Sequence, residues 1–236
     1  MVDIEYMGKC LLIRQMEKNT IVVGDLHLGY EEALNKAGIF VSRKMFVEMI
    51  EYFDKFFDRV GKVEEIVLLG DVKHDFGSIL RQEWEDTLNL VKYFKQKSKK
   101  VIIIKGNHDK IVEPLAKKGD VKVVDYYIDG EICFIHGERD FEEIHNKKIK
   151  YWILGHGHPA VVLKDGVKEE KYKCFLSGKY EGKEIVIVPS FIEHNEGSDP
   201  REHDLGLAWN FQLEKFKVRV IGENLQVFEF GNLRKL

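Results

Sequence analysis

Residues 101–109 read Val-Ile-Ile-Ile-Lys-Gly-Asn-His-Asp, an apolar run that ends in a glycine followed by an amide, an imidazole and a carboxylate. Four branched aliphatic residues in a row are typical of a strand that is buried on both faces of a parallel sheet. A glycine that ends such a strand delivers the next side chains to the edge of the sheet, where open α/β proteins bind ligands. This stretch therefore predicts a strand that carries Asn107, His108 and Asp109 to a binding site.

Four further apolar runs end beside a glycine and a potential metal ligand. They are Val-Val-Gly24-Asp25-Leu-His27, Leu-Leu-Gly70-Asp71, Phe-Ile-His136-Gly137 and Ile-Leu-Gly155-His156-Gly157-His158. Most of these endings alone would be compatible with an ordinary loop, but Asn-His-Asp and His-Gly-His after an apolar strand have few structural uses. The five endings together predict one metal site with two ions.

Length and composition predict one domain over residues 1–236. A chain of 236 residues with 44% hydrophobic content is large enough to bury a proper core. The formal net charge of -3 gives no global basic field, so tight non-specific adhesion to nucleic acid or acidic membranes is not predicted. A local basic patch remains compatible with this charge.

Cysteine usage and the chain start predict a reducing, cytoplasmic location. Cys10, Cys133 and Cys174 are an odd, scattered set without Cys-x-x-Cys spacing, which argues against a disulfide framework and a thiolate zinc site. Asp3 and Glu5 precede any apolar stretch, and no run approaches the roughly 18 apolar residues of a membrane span.

Hydrophobic periodicity predicts an α/β fold with two facing mixed β-sheets flanked by helices, a four-layer αββα sandwich. Helical spacing predicts helices over 30–37, 42–59 with Ser42 as N-cap, 84–94 and around Leu115. Strands are predicted over 10–13, 20–24, 65–69, 101–105, 121–128, 131–135, 160–163, 184–188, 205–211, 217–221 and 225–230.

The candidate ligands exceed one tetrahedral site and predict two divalent ions that share a ligand. The seven candidates are Asp25, His27, Asp71, Asn107, His136, His156 and His158. A carboxylate can bridge two cations about 3.5 to 4 Å apart, and Asp71, alone in its motif, is the natural bridge. Oxygen and imidazole donors without cysteine favour Mn²⁺, with Fe²⁺ and Zn²⁺ as alternatives.

Charge counting predicts the substrate class. Two dications, two carboxylates and a bridging hydroxide leave roughly one positive charge, which attracts an anion. Hydrolysis of a phosphate ester by the bridging hydroxide fits this site best. His108 is interpreted as the general acid that protonates the leaving oxygen, with Asp109 fixing its tautomer and raising its pKa.

Several other residues carry weaker signals. The residues Gly155 to Ala160 match a dinucleotide-binding pattern, but Pro159 and the apolar run behind it start a strand rather than the required helix. Histidines that follow no strand end are interpreted as surface residues or supports of the ligands: His145, His194 and His203. Basic side chains that could clamp a phosphate are explained equally well as exposed helix faces: Arg43, Lys44 and Arg81.

The ordered motifs Asp-x-His, Gly-Asp, Gly-Asn-His-Asp, His-Gly and Gly-His-x-His over residues 24–158 resemble the calcineurin-like metallophosphoesterase superfamily. The resemblance implies a two-sheet α/β sandwich. It further implies that the first metal is held by Asp25, His27, Asp71 and His158. The second would be held by Asp71, Asn107, His136 and His156, with His108 contacting the substrate.

Within the superfamily, the residues 24–31 and 70–77 resemble the compact ICC-like group, which is related to DNA-repair nucleases. That likeness implies a DNA or RNA substrate and association with a DNA-repair ligase or helicase. His74 resembles a second active-site histidine of double-strand-break repair nucleases, and an exposed loop histidine is the alternative. Compared with those nucleases, the length of this chain predicts that it lacks the capping domain they place over their DNA groove. The Asn-Pro-Gly-Ser turn of small family members is replaced here by Val188-Pro-Ser190-Phe.

Three functional hypotheses follow. The first is a dinuclear-metal-dependent phosphodiesterase of the nuclease type, with His108 and His74 acting on the leaving group. The second is a small-molecule phosphoesterase acting on a cyclic nucleotide or a nucleotide sugar. The third, a non-catalytic metal-binding scaffold, would be expected to lack ligands, whereas all seven are present.

Overall fold

Two facing β-sheets form the centre of the computed structural model, which describes residues 2–77 and 79–236. The first sheet has the order β1-β2-β3-β4-β5-β6 and comprises Val2–Met7, Cys10–Gln15, Lys18–Val23, Val63–Leu68, Ser98–Ile104 and Lys122–Val124. The second has the order β14-β13-β11-β12-β9-β8-β7, with β10 paired to β11. Its strands β7 to β14 are Tyr126–Asp129, Ile132–Ile135, Tyr151–Leu154, Ala160–Asp165, Lys168–Tyr180, Lys183–Ile187, Lys217–Ile221 and Val227–Asn232.

Helices cover the outer face of the first sheet. They are α1 Tyr30–Lys36, α2 Met45–Val60, α3 Arg81–Lys97 and α4 Glu113–Gly119. Helix α2 buries one stripe of side chains spaced three or four apart, which pack on the sheet together with α3: Met49, Phe53, Phe56 and Phe57. The outer face of the second sheet is covered by a 3-10 helix over Glu142–His145 and by the irregular segment around Trp209. The predicted fold class, two mixed sheets with helices outside, is confirmed.

The space between the sheets is filled by branched aliphatic and aromatic side chains from both inner faces. The first sheet contributes Leu11, Ile13, Val22, Val67, Ile102 and Ile104, and the second contributes Ile132, Phe134, Ile153, Phe175 and Val186. Strands β3, β4 and β5 therefore read as continuous apolar runs because both of their faces are buried.

Parallel pairing brings the ends of the central strands to one edge. Strand β3 pairs in parallel with β4 and β4 with β5, so that Val23 lies beside Leu68 and Leu68 beside Ile103. In the second sheet β8 and β9 are also parallel neighbours, with Ile135 beside Leu154. The residues that follow all five strands therefore leave the two sheets at the same end of the sandwich.

The structure departs from the predicted elements in several places, and the predicted strand 121–128 is divided into β6 and β7, which belong to different sheets. The segment 205–211 is irregular rather than a strand, and its alternating apolar residues pack on the second sheet. Strand β1 and the long strand β11 had no predicted counterpart, because their charged and polar residues hide the strand pattern. Helix α2 begins at Met45 rather than after Ser42, since the Glu31 carboxylate accepts the backbone N–H groups of Lys44 and Met45 at 2.5 and 3.0 Å.

No helix within residues 2–77 and 79–236 has the length and apolar character needed to span a membrane.

Candidate metal centre

The five strand-ending motifs converge on one carboxylate. Asp71 Oδ2 lies 3.4 Å from His136 Nε2, 3.8 Å from His108 Nε2 and 3.9 Å from His27 Nε2. The side chain of Asp71 is almost fully buried, and its other oxygen accepts the backbone N–H of His108 at 2.9 Å. The carboxylate thus stands between histidines of three motifs, as expected of a bridging ligand.

One group of possible ligands lies on the side of the first motif. Its members, whose ligand atoms all lie within 4.8 Å of one another, are Asp25, His27, Asp71 and His158. Within it, His158 Nε2 is 3.2 Å from Asp25 Oδ1, and the Asp25 carboxylate also accepts the backbone N–H of His156. These are the four residues that the family resemblance assigns to the first metal.

A second group shares Asp71 and comprises Asp71, His136 and His156, with ligand atoms again within 4.8 Å of one another. The amide oxygen of Asn107 joins it at 3.2 Å from His136 Nε2. His136 donates its Nδ1–H to the carbonyl oxygen of Leu69 at 2.6 Å, which fixes the ring and leaves Nε2 for a cation. The four residues predicted for the second metal are therefore brought together as well.

The backbone is strained at most of the predicted ligands. Five non-glycine ligands have left-handed φ angles, between 42 and 61°: Asp25, His27, Asp71, His156 and His158. A non-glycine residue in this region costs of order 1 to 3 kcal/mol, and such strain concentrates at functional sites. The strand-to-loop turns are therefore shaped to aim side chains inward at the expense of stability.

Opposite protonation states are favoured at two of the histidines. Burial lowers the pKa of His27 to about 3, even though Asp25 and Asp71 raise it, so its ring is neutral. Burial also lowers the pKa of His136, but the hydrogen bond to Asp71 and the charge of Asp25 outweigh burial and raise the pKa to about 10. In the metal-free protein a protonated His136 therefore partly compensates the two buried carboxylates.

The residues fit divalent cations. Neither ring nitrogen of the buried His27 has a hydrogen-bond partner among the described residues. A buried polar atom without a partner is costly, and a coordinated cation would remove that cost. The donors around it are carboxylate and amide oxygens and imidazole nitrogens, the ligands of Mn²⁺, Fe²⁺ and Zn²⁺.

His108 stands beside this centre, and its neighbours orient it. Its Nδ1 lies within hydrogen-bond distance of the carbonyl oxygen of His74, and Phe76 packs over the ring with a centroid distance of 3.6 Å. The His74 ring lies 5.5 Å from that of His27 and 5.6 Å from that of His108. His74 thus faces the candidate centre, contrary to the alternative of an exposed loop histidine.

Asp109 has a different position from the one predicted. Its carboxylate is fully buried and accepts backbone N–H groups from Val72 at 3.1 Å, Lys73 at 3.3 Å and Gly106 at 3.1 Å. Burial, and then the charge of Asp71, raises the pKa of Asp109 to about 7. The prediction that Asp109 fixes the tautomer of His108 is wrong, because these oxygens tie two loops together and a backbone carbonyl contacts the His108 ring.

The phosphate-clamp interpretation of the arginines is not supported. Arg43 pairs with Asp86 at 2.5 Å and with Glu85 at 3.1 Å, and Arg81 pairs with Glu85 at 2.9 Å. Both guanidinium groups are paired with carboxylates of α3, of which Asp86 is buried and Glu85 is partly exposed. Lys44 is the residue that precedes α2.

The three histidines outside the motifs have separate environments. His145 pairs with Asp140 at 2.7 Å, and His203 lies on the surface, 64% exposed. His194 stacks on Tyr30 at 6.1 Å and lines a cavity of about 420 Å³ whose wall includes His27, His108 and His158. The neighbouring Asn195 contacts the ring of His158, a contact that sequence reasoning missed.

The family assignment follows from these observations. Residues 18–222 match the model of the calcineurin-like phosphoesterase family, and the chain belongs to that family. None of the curated proteins matches the chain.

Three solved structures are similar to this chain to different degrees, and the first of them shares its fold. The nuclease MPE of Pseudomonas putida is 17% identical, with a TM-score of 0.62, and the alignment covers 98% of this chain and 100% of that one. The vacuolar protein sorting 29 of Cryptosporidium parvum is 15% identical, with a TM-score of 0.41, over 90% and 97% of the two chains. A predicted phosphoesterase of Streptococcus pneumoniae is 15% identical, with a TM-score of 0.35, over 92% and 99%.

Proposed function

We propose that this protein is a phosphodiesterase that depends on two divalent cations, with nucleic acid as its substrate class. The observation that carries the proposal is the position of Asp71 Oδ2, within 3.9 Å of ring nitrogens of His27, His108 and His136. Membership of the calcineurin-like phosphoesterase family supports the reaction class. The shared fold with a protein described as a nuclease supports the choice of substrate.

Two sets of residues would hold the cations. The first set is Asp25, His27, Asp71 and His158, and the second is Asp71, Asn107, His136 and His156. When bound, the two ions would polarise the phosphate oxygens and lower the pKa of coordinated water towards neutrality. We propose Mn²⁺ as the native metal, since the donors combine hard oxygens with imidazole nitrogens, and Fe²⁺ and Zn²⁺ use the same donors.

His108 would donate a proton to the leaving oxygen. With Nδ1–H held by the His74 carbonyl oxygen, the second proton of the imidazolium sits on Nε2, which faces the centre beside Asp71. General acids of this kind contribute roughly 10²- to 10⁴-fold to the rate. The His74 ring, 5.6 Å from that of His108 and 5.5 Å from that of His27, lies close enough to assist at the same face.

A small-molecule phosphoesterase is the second candidate function. The cavity beside His27 and His158 has a volume of about 420 Å³, which lies in the range of small-ligand sites. A cyclic nucleotide or a nucleotide sugar would fit a space of this size. A cytoplasmic location and association with a DNA-repair ligase or helicase remain predictions from the sequence.

The experiment that tests the proposal compares substrates at a fixed Mn²⁺ concentration. Hydrolysis of a generic diester, a monoester, and single- and double-stranded DNA is measured for the wild type, Asp71→Asn and His108→Ala, with the surface variant His203→Ala as matched control. We expect diester turnover that both centre variants lose and the control retains. Monoester turnover without diester turnover would overturn the proposal.

A further inference from the structure

The segment 188–197, which follows β12, lies against two of the three loops that carry the first group of ligands. Ser190 forms a parallel bridge with Gly24, and the Phe191 N–H donates to the carbonyl oxygens of Gly24 at 3.0 Å and Asp25 at 3.1 Å. Further along, the N–H of Ser198 donates to the carbonyl oxygen of His158 at 2.9 Å. The segment therefore contacts the backbone of two predicted ligands, although it contains none itself.

Two lysines hold this segment in place. Lys173 Nζ donates to the carbonyl oxygen of Ser190 at 2.9 Å and to its hydroxyl at 3.0 Å, and it also contacts the carbonyl oxygen of Ile192. Lys9 Nζ donates to the intervening carbonyl oxygen of Phe191 at 3.2 Å. Three consecutive carbonyl groups thus accept hydrogen bonds from the side-chain nitrogens of two lysines, which fixes the position of the residues that follow.

The hydrogen bonds of Lys9 and Lys173 hold the segment so that Asn195 lies beside His158 at the metal centre. Its Nδ2 lies 2.8 Å from His158 Nδ1, while its Oδ1 accepts the backbone N–H of Gly197 at 2.8 Å. Because the amide nitrogen can only donate, Nδ1 must be the unprotonated nitrogen of His158 in this arrangement. The ring proton is then on Nε2, which points at Asp25 Oδ1, 3.2 Å away.

A cation in the first site requires the opposite tautomer. His158 faces Asp25 through Nε2, so a cation held by these two residues would need Nε2 without its proton, and the proton of the neutral ring would then be on Nδ1. A ligand histidine normally donates this second N–H to an acceptor, and loss of that acceptor typically costs 10- to 100-fold in metal affinity. Asn195 can supply the acceptor by turning its amide over, at the expense of its bond to Gly197.

We propose that Asn195 is a positioning residue of the metal centre, whose amide sets the tautomer of His158 and thereby the affinity of the first site for its cation. The effect on affinity rests on the proposed function, because it requires His158 to be a ligand. The effect on the tautomer does not, since it concerns the metal-free protein. A carboxylate at position 195 would accept from both Gly197 N–H and His158 Nδ1–H without turning over.

Two measurements on the full chain test this. In the metal-free protein, ¹⁵N chemical shifts of the His158 ring are expected to report the Nε2–H tautomer in the wild type and the Nδ1–H tautomer in Asn195→Asp. Mn²⁺ titrations are expected to give about tenfold weaker binding for Asn195→Ala and tighter than wild-type binding for Asn195→Asp. The control Glu196→Gln changes a charge at the next position, where the side chain is 79% exposed, and is expected to shift affinity less than twofold.

The outcomes separate the two proposals. If Asn195→Ala and Asn195→Asp leave both the tautomer and the Mn²⁺ affinity at wild-type values, the role of Asn195 is refuted and the proposed function stands. If the wild type takes up no Mn²⁺, the proposed function fails, and the tuning of affinity with it. If the Mn²⁺ affinity rose in Asn195→Asp and fell by an equal factor in Glu196→Gln, the effect would be one of charge alone, and the positioning role would also be refuted.

Discussion

Replacing Asp109 by alanine is expected to lower the stability of the loops around the metal centre, rather than to impair proton transfer directly. The carboxylate satisfies three buried backbone N–H groups, those of Val72, Lys73 and Gly106. A buried donor left unpaired costs about 1 to 3 kcal/mol, so three cost several kcal/mol even where water repairs part of the loss. We expect Asp109→Ala to lower the free energy of unfolding by about 3 to 5 kcal/mol.

The assay is urea or thermal unfolding of the metal-free protein. For a chain of this size, the expected loss corresponds to a fall in Tm of about 6 to 20 °C. Asp109→Asn is the matched control, because the single amide oxygen can still accept some of these hydrogen bonds. Its loss of stability should therefore lie between those of the wild type and Asp109→Ala. If Asp109→Ala were as stable as the wild type but altered the pH profile of turnover, Asp109 would act through His108 and the reasoning would be refuted.

The same carboxyl group predicts a pH dependence. Its pKa is raised to about 7 in the folded metal-free protein, from about 4 when unfolded. Between these values the folded state holds a proton that the unfolded state has lost, so this contribution to stability is fully present below about pH 4. It decreases as the pH rises towards 7. The difference in stability between the wild type and Asp109→Asn should therefore change across this window, and a constant difference would contradict the assignment.

Further predictions concern the backbone, the protons and the clamped segment. Gly70→Ala should lower Tm and weaken Mn²⁺ binding, because φ is 95° at this position and the new Cβ would lie 2.6 Å from His136 Nδ1. Gly61→Ala, at φ 74° but with no described atom within 4 Å of its Cβ, should show the backbone cost alone. The pKa of His136 is about 10, so Mn²⁺ binding should release a proton, and the Mn²⁺ affinity should fall about tenfold for each pH unit of acidification. Calorimetry in buffers of different ionisation enthalpy would measure the number of protons released. Lys173→Met should accelerate amide hydrogen exchange within residues 188–197, and unchanged exchange would contradict the clamp.

The convergence of the ligands was predictable because parallel register leaves little freedom. Once β3, β4 and β5 are parallel neighbours, the residues that follow Val23, Leu68 and Ile103 must leave the sheet together. The glycine after each apolar run marks where that happens. Sequence reasoning therefore located the ligand loops without knowing how the two sheets face each other.

Other features depend on contacts between distant segments. Asn195 follows no strand-ending glycine, and its contact with His158 exists only because lysines from β11 and from the turn before β2 hold the segment between them. Asp109 is adjacent to His108 in sequence, yet its side chain points to the other side of the loop. Adjacency along the chain predicted a partnership that the tight turn from Gly106 to Asp109 does not allow.

The strained backbone at the ligands implies a trade between stability and function that a pair of substitutions can measure. At most positions glycine is less stable than alanine by roughly 0.5 to 1 kcal/mol, because it loses more conformational freedom on folding. At His158, where φ is 42°, alanine would retain the left-handed penalty and glycine would not. We expect His158→Gly to be more stable than His158→Ala by about 1 kcal/mol in the metal-free protein. The same pair at His136, which has no positive φ, should show the usual order, with alanine the more stable. If alanine is the more stable residue at both positions, the left-handed backbone of His158 carries no cost, and its strain cannot be a consequence of aiming ligands at the centre.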